Sequence, residues 1–313
     1  MRTPSNESSL PLIRRLWIYQ AERFPLARTA LLVAVFASAS VSVAAHLGHR
    51  ELPSWPSYGV AFAVVLIFFF QLRASDEVKD AEDDAKFRPE RPIPRGLVKL
   101  RLIVGIAVAG APLSAVLAAA LDVRLLLLLA TVWLWMFLMG AEFFTAAWLR
   151  ARPFFYLVSH MLIMPLIDLF ATGCEWVPAA AAPPRMLWLF LVLSFLNGTV
   201  LEVGRKTYAP VSERTGVETY SRLLGPRPAT ALWCTIVAVA FVCLLAVGAA
   251  ESALPWVGAV GLVGACTAIF TATGFIRNPV PKYQKLLDAT SGLWVLLCYA
   301  AAGFAPIAAK ALS

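Results

Sequence analysis

Long apolar stretches alternate along this chain with short, strongly charged ones. Runs of Leu, Val, Ile, Ala and Phe fill residues 27–45, 58–72, 97–121, 125–149, 154–171, 186–201, 229–249, 254–275 and 286–309. Each is near the roughly 20 residues that a helix rising 1.5 Å per residue needs to cross a hydrocarbon core of about 30 Å. The pattern predicts an all-α polytopic membrane protein: nine transmembrane helices in a single domain over residues 1–313, with polar loops capping one end. Residues 1–25 read differently, because Arg14, Arg15, Glu22 and Arg23 interleave with Leu, Ile, Trp17 and Phe24. That segment predicts an amphipathic helix lying on the membrane surface. The Ala/Ser-rich run at 27–45 starts too late and is too long for a cleaved signal peptide, so it is read as the first span.

The basic residues sort these spans into an orientation. Segments 1–28, 73–101, 150–152, 205–227 and 277–285 all fall on one side of a nine-span chain and hold 23 of the 27 Lys and Arg. Arg50, Arg124, Arg185 and Lys310 remain on the other side. Positive loops face the cytoplasm, which puts the N-terminus inside and the C-terminus across the membrane. Composition agrees: 60% hydrophobic residues and a mean hydropathy of +0.74 exclude an ordinary soluble domain. The net charge of +8 is spread between apolar runs rather than gathered on one basic module, so it does not point to nucleic acid. Five cysteines without CxxC spacing indicate neither a zinc site nor a disulfide framework.

Membrane packing does not account for residues 73–96. Asp76, Asp80 and Asp84 recur every fourth residue, stacking three carboxylates on one helical face with Glu77 beside them. Like charges at that spacing repel, and clustered hard oxygen ligands suit Mg²⁺. Arg88, Arg91 and Arg95 follow among Pro89, Pro92 and Pro94, which end the helix and let the guanidinium groups converge on one anion. The combination implies a metal together with a diphosphate. A second polar insertion at 202–228 falls on the same predicted side, mixing Glu202, Glu213 and Glu218 with Arg205, Lys206 and Arg214.

At these residues the chain resembles the UbiA superfamily of intramembrane prenyltransferases. The superfamily's first motif, NDxxDxxxD, stands here as Asp76-Glu77-x-x-Asp80-x-x-x-Asp84, and its following Arg-Pro…Gly is matched by Arg91-Pro92 and Gly96. Gly216-Val217-Glu218-Thr219 is similar to the Gly-x-x-Thr that closes its second motif. Glu202 stands in for the first aspartate of that motif, Lys206 occupies the place four residues on, and Glu213 supplies a later carboxylate. The resemblance implies a UbiA-like bundle in which Mg²⁺, held by Asp76, Glu77, Asp80 and Asp84 and by Glu202 and Glu213, grips a prenyl diphosphate. Arg88, Arg91, Arg95, Arg205 and Lys206 would hold the diphosphate oxygens. The prenyl group would then pass to a hydrophobic acceptor such as an aromatic or quinone precursor, with acceptor-free terpene cyclisation as the alternative.

Three further ionisable residues, Glu142, His160 and Asp168, are candidates to orient an acceptor or remove its proton, since charge inside a span is costly. Phe68, Phe69, Phe70, Trp133, Trp135, Phe143, Phe144 and Tyr156 are candidates to stabilise an allylic cation. Two rival classes fit less well. The Asp-Gly-x-x-Ala-Arg opening of CDP-alcohol phosphotransferases is missing, and a secondary transporter would place its charges at mid-membrane on broken helices. The sequons at Asn6 and Asn197 are discounted, one on the predicted cytoplasmic side and the other inside a span.

Overall fold

The computed structural model describes residues 9–312, so Arg2 and the sequon at Asn6 lie outside the described residues. The described chain is helical throughout and contains no strand. α1 (Leu12–Arg23) precedes α2 (Leu26–Leu47) and α3 (Trp55–Lys79), and the short α4 (Ala81–Phe87) follows α3 directly. Next come α5 (Leu100–Leu121), α6 (Leu125–Gly140), α7 (Ala146–Arg150), α8 (Pro153–Met161) and α9 (Ile163–Trp176). The second half holds α10 (Leu187–Arg205), the one-turn α11 (Tyr220–Leu224), α12 (Pro226–Ala250), α13 (Leu254–Arg277) and α14 (Pro281–Leu312). Eight helical units among the described residues are long and apolar enough to cross a membrane, with α8 and α9 counted as one unit, Pro153–Trp176.

The ninth predicted span is where sequence and structure differ. The apolar run 125–149 does not continue as one helix: α6 stops at Gly140 after 16 residues. Glu142, Phe143 and Phe144 then turn with φ of 46°, 51° and 57°, a left-handed backbone. Such conformations cost L-residues about 1–2 kcal/mol each, so something must hold them. The contacts that do so involve the Glu142 carboxylate, which lies after the end of α6 and is buried within the protein. α3 departs the other way. It continues past the predicted end at 72, so the acidic motif rides on the same helix as the apolar span.

Packing follows chain order around a ring: α3 lies against α5, α6 against α9, α10 against α12, α12 against α13 and α13 against α14. α2 closes the ring, contacting α3, α9 and α14. Its small residues explain the position, since Ala37, Ala39, Ser40, Ala44 and Ala45 are all but inaccessible. A Cβ on Gly303 of α14 would run into the backbone of Ala39, which marks the closest approach between these two helices. A separate small apolar cluster seats α1, with Tyr19 buried among Ala74, Leu97, Val98, Ile103 and Ala107. α1 thereby lies over the start of the first polar loop.

Candidate active site

α3 carries Asp76 and Glu77 on its last turn, and Asp80 sits at the corner where α3 ends and α4 begins. The four motif acids have different surroundings. Asp76 is exposed and paired with Arg73 one turn back, at 2.7 Å. Glu77 is buried and accepts from Arg23 Nε at 2.6 Å, with Arg73 at 4.0 Å. Asp84 is buried too, held by Arg91, by Arg88 at 3.4 Å and by Arg23 at 4.0 Å. Asp80 is half-buried and makes no side-chain hydrogen bond or ion pair among the described residues. Burial first, and then the neighbouring charges of Asp76 and Asp84, raise its carboxyl above the ordinary 3.8. Arg95 points elsewhere, donating to both oxygens of Glu22 at 2.8 Å and to the Glu90 carbonyl at 2.7 Å.

The second insertion is organised by its own side chains. Glu202, near the end of α10, is flanked within its own helix by Arg205 at 2.5 Å and Lys206 at 2.8 Å. Glu213 accepts from the Thr219 and Ser221 hydroxyls at 2.7–2.9 Å, and Thr219 also caps α11 by accepting from the Arg222 amide. This ties the loop to itself, while Glu218 stays exposed. Gly216, with φ of 78°, lies so close to the first motif that a Cβ there would sit 2.8 Å from the Phe87 ring. The glycine is thus required by both its backbone angle and its neighbour. Between the two loops opens a polar cavity of about 370 Å³, lined by Arg88, Glu90, Arg91, Tyr208, Ser212, Arg214, Val217 and Gln284. Arg88 and Arg91 after the first acidic motif and Ser212, Arg214 and Val217 of the second insertion therefore line one cavity, although they lie far apart in sequence.

A third group joins them through Lys79, a residue that sequence reasoning had used only for orientation. Its ammonium bonds the Tyr156 hydroxyl, lies 3.3 Å from His160 Nε2 and 3.2 Å from Glu142 Oε1, and sits 4.6 Å above the Tyr156 ring. Arg150 takes the other Glu142 oxygen at 3.2 Å. Burial works against the Glu142 charge, but Lys79 and Arg150 hold its carboxyl below the usual range. His160 Nδ1 lies 2.9 Å from the Tyr156 carbonyl, which can only accept, so the ring proton belongs on Nδ1 and Nε2 faces Lys79. Trp135, Phe143 and Tyr156 form an aromatic wall here, with Trp135 and Phe143 edge to face at 5.3 Å and Tyr156 stacked on His160 at 3.8 Å. A cation inside the acidic stripe was the signal available in the sequence. The structure shows why it matters: Lys79 bridges the first motif to α6, α7 and α8.

The remaining candidates lie apart. Asp168 is fully buried, with one oxygen accepting from Ser40 and the other from Tyr299, each at 2.5 Å, which links α2, α9 and α14. Phe68 packs edge to face on Phe170, Phe69 on Phe36 and Phe70 on Phe24, so these three serve helix contacts. Trp133 donates to Gln71, and Phe144 is exposed. Asn197 accepts from the Trp294 indole inside the bundle, away from any glycosylation machinery.

Among the described residues no three Asp, Glu, His or Cys side chains converge closely enough to enclose a metal ion on their own. The first motif nevertheless fits Mg²⁺ by chemistry: hard oxygen donors at Asp76 and Asp80, the latter with no side-chain partner among the described residues and resisting its own charge. Such a cation keeps waters and shares its shell with substrate phosphates, so two carboxylates suffice to hold it. The second motif fits less well, because Glu202 and Glu213 already have close partners.

A model of the UbiA prenyltransferase family matches residues 31–296. No curated protein matches the chain. The fold is shared with a UbiA homolog from Aeropyrum pernix K1, at TM-score 0.67 and 17% identity over 86% of this chain and 96% of that one. It is also shared with a UbiA homolog from Archaeoglobus fulgidus solved with DMAPP and Mg²⁺, at TM-score 0.56 and 14% identity over 89% and 98% of the two chains. A digeranylgeranylglyceryl phosphate synthase aligns at TM-score 0.55 and 15% identity over 88% and 98%.

Proposed function

The chain belongs to the UbiA prenyltransferase family, and from that premise we propose that it ionises a prenyl diphosphate in the membrane and passes the prenyl group to a hydrophobic acceptor. One observation carries the reading. Among the described residues Asp80 is an acid with no side-chain hydrogen bond or ion pair, its charge opposed by Asp76 and Asp84, and it precedes the loop whose Arg88 and Arg91 line the polar cavity. Such a site is stabilised by a cation that brings an anion with it. Asp76 and Asp80 would hold Mg²⁺, with Asp84 and Glu77 kept behind them by arginine pairs. Bound there, Mg²⁺ would offset the charge of the diphosphate and make it a better leaving group.

The chain's own residues do the rest. Arg205 and Lys206, presented by Glu202, and Arg88, Arg91 and Arg214 around the cavity bind the diphosphate oxygens as fixed cations. The allylic C–O bond breaks with its electron pair leaving on the diphosphate, and the new bond forms from the acceptor to the allylic carbon. The aromatic wall of Trp135, Phe143 and Tyr156 faces positive charge without quenching it. Glu142, kept ionised by Lys79 and Arg150, takes the proton the acceptor gives up, while His160, with Nδ1 on the Tyr156 carbonyl and Nε2 facing Lys79, holds that lysine in place. Glu213 and Asp168 act structurally, one inside its loop and the other inside the bundle. Both motif loops face the cytoplasm, as the segregation of 23 of 27 Lys and Arg implies. The Archaeoglobus relative solved with DMAPP and Mg²⁺, and a further structure of it with GPP and Mg²⁺, support the substrate class.

Cyclisation of the prenyl diphosphate without an acceptor is the second reading, favoured by the same aromatic wall and needing only one base. Purified protein given C10, C15 or C20 prenyl diphosphate with Mg²⁺ decides between the two. Transfer predicts slow pyrophosphate release that accelerates when a phenolic or quinone precursor is added. A cyclic hydrocarbon formed rapidly without acceptor would replace transfer by cyclisation, and no pyrophosphate release with any chain length would remove both.

A further inference from the structure

α1 lies outside the stretch that the family model matches, which begins at residue 31, yet its side chains reach the first motif and the loop that follows it. Arg15 Nε donates to the Leu97 carbonyl at 2.5 Å. Glu22 takes both terminal nitrogens of Arg95 at 2.8 Å. Arg23 donates to Glu77 at 2.6 Å and reaches Asp84 at 4.0 Å, with its own side chain 12% exposed and those of its partners 3% and 4%. Tyr19 is buried beneath the helix, and Phe24 meets Phe70 edge to face at 5.4 Å. The opposite face carries exposed Ile13, Arg14 and Trp17, a combination that settles at a membrane surface.

We propose that α1 is a positioning element and Arg23 its positioning residue: one guanidinium fixes the two inner acids of the motif, Glu77 and Asp84, so that the two outer acids, Asp76 and Asp80, are the pair presented to the cation and its diphosphate. The argument is one of charge and shape. The four motif carboxylates, among six acids in residues 76–84, repel one another, and each can compete for the same cation. Arg23 approaches Glu77 through Nε and Asp84 through Nη2, so its rigid fork sets their separation as well as their charge. Without it, the remaining ion-pair partner of Glu77 among the described residues is Arg73 at 4.0 Å, and a buried carboxylate is left short of compensation. Arg23 does not touch the reacting atoms. Its effect is on the geometry of those that do, as with outer-shell partners of metal ligands generally.

This inference rests on the diphosphate reading above, and its test separates the two. Inorganic pyrophosphate is titrated by calorimetry into the full-length protein in detergent at saturating Mg²⁺, with the melting temperature recorded for each variant. The probe complex is anionic, so loss of a nearby positive charge and loss of position weaken its binding in the same direction. Arg23→Lys then distinguishes them, because it keeps the charge and loses the fork. We expect Arg23→Gln to bind pyrophosphate about tenfold more weakly and Arg23→Lys to be weakened as well, within about that factor. Wild-type affinity in Arg23→Lys would overturn the proposal, as would a lowered melting temperature in Arg23→Gln with affinity unchanged. Should Arg23→Gln fail to fold, the affinity of Arg23→Lys decides alone. Failure of the wild-type protein to bind pyrophosphate at any Mg²⁺ concentration would instead remove the diphosphate reading itself.

Discussion

The two polar insertions of this bundle carry similar residues and organise them in opposite senses. In the first, the arginines are shared unevenly: Glu77 and Asp84 take several, exposed Asp76 keeps Arg73, and Asp80 has no close partner among the described residues. In the second, Glu202 is matched by two bases of its own helix and Glu213 by hydroxyls of its own loop. One half therefore leaves a carboxylate unmatched among the described residues, while in the other Glu202 and Glu213 are already supplied. Acidic composition alone does not make a metal site; what matters is whether the carboxylates have been satisfied beforehand. A diphosphate between the two halves would meet a captured cation on one side and fixed cations on the other.

The comparison can be broken most sharply at Asp80. Asp80→Ala should lower turnover by more than about a hundredfold, a loss larger than an outer-shell change gives, and leave the melting temperature in detergent unchanged or higher, because one like charge is removed. Equal turnover in wild type and Asp80→Ala, or full activity in EDTA, would end the distinction between the halves. Next in size, Arg205→Gln and Lys206→Gln should each weaken prenyl diphosphate affinity by about tenfold, the worth of one hydrogen bond to a charged group. Affinity unchanged in both would return the second insertion to a connector. Glu142→Gln should cost roughly 1–2 kcal/mol of stability, seen as a lower melting temperature, since it frees Lys79 and releases the left-handed turn. Glu218→Gln, on an exposed side chain, should change affinity by less than about twofold.

A pH titration sharpens the same contrast. The Asp80 carboxyl is raised in the folded protein, so the folded state holds that proton more tightly than the unfolded chain does. Without metal, stability from this group is present at low pH and falls as pH rises through the range above 3.8. Mg²⁺ should restore it at neutral pH and should bind less well as pH is lowered into that range. Melting temperatures recorded with and without Mg²⁺ from acid to neutral pH check this, and a Mg²⁺ increment of the same size throughout would contradict it.

Much of this arrangement was legible in the sequence, and the parts that were not have definite causes. Apolar run length located the helices because the bilayer sets that length, and the four-residue spacing of the acids located the motif. Run length could not foresee the stop at Gly140, since Ala141, Phe143 and Phe144 are as apolar as what precedes them. The turn is fixed by ion pairs of Glu142 to Lys79, 63 residues earlier, and to Arg150. Nor could spacing show which acid of the stripe lacks a partner. Asp76, Glu77, Asp80 and Asp84 look alike in one dimension, and it is the arginines folded onto them, Arg23 from α1 together with Arg73, Arg88 and Arg91, that separate them. Arg95 illustrates the converse, grouped with Arg88 and Arg91 by spacing but claimed by Glu22 in three dimensions.

The early end of α6 also reaches into the surrounding lipid. At 1.5 Å per residue its 16 residues cover about 24 Å, some 6 Å short of a hydrocarbon core of about 30 Å. Lipid makes up such a shortfall by thinning beside the short helix. Were α6 to cross the membrane, such thinning would bring the headgroup layer toward Glu142, Lys79 and Arg150, and a molecule travelling with its tail among the acyl chains would meet the polar end of the bundle at a shallower depth there than beside the longer helices.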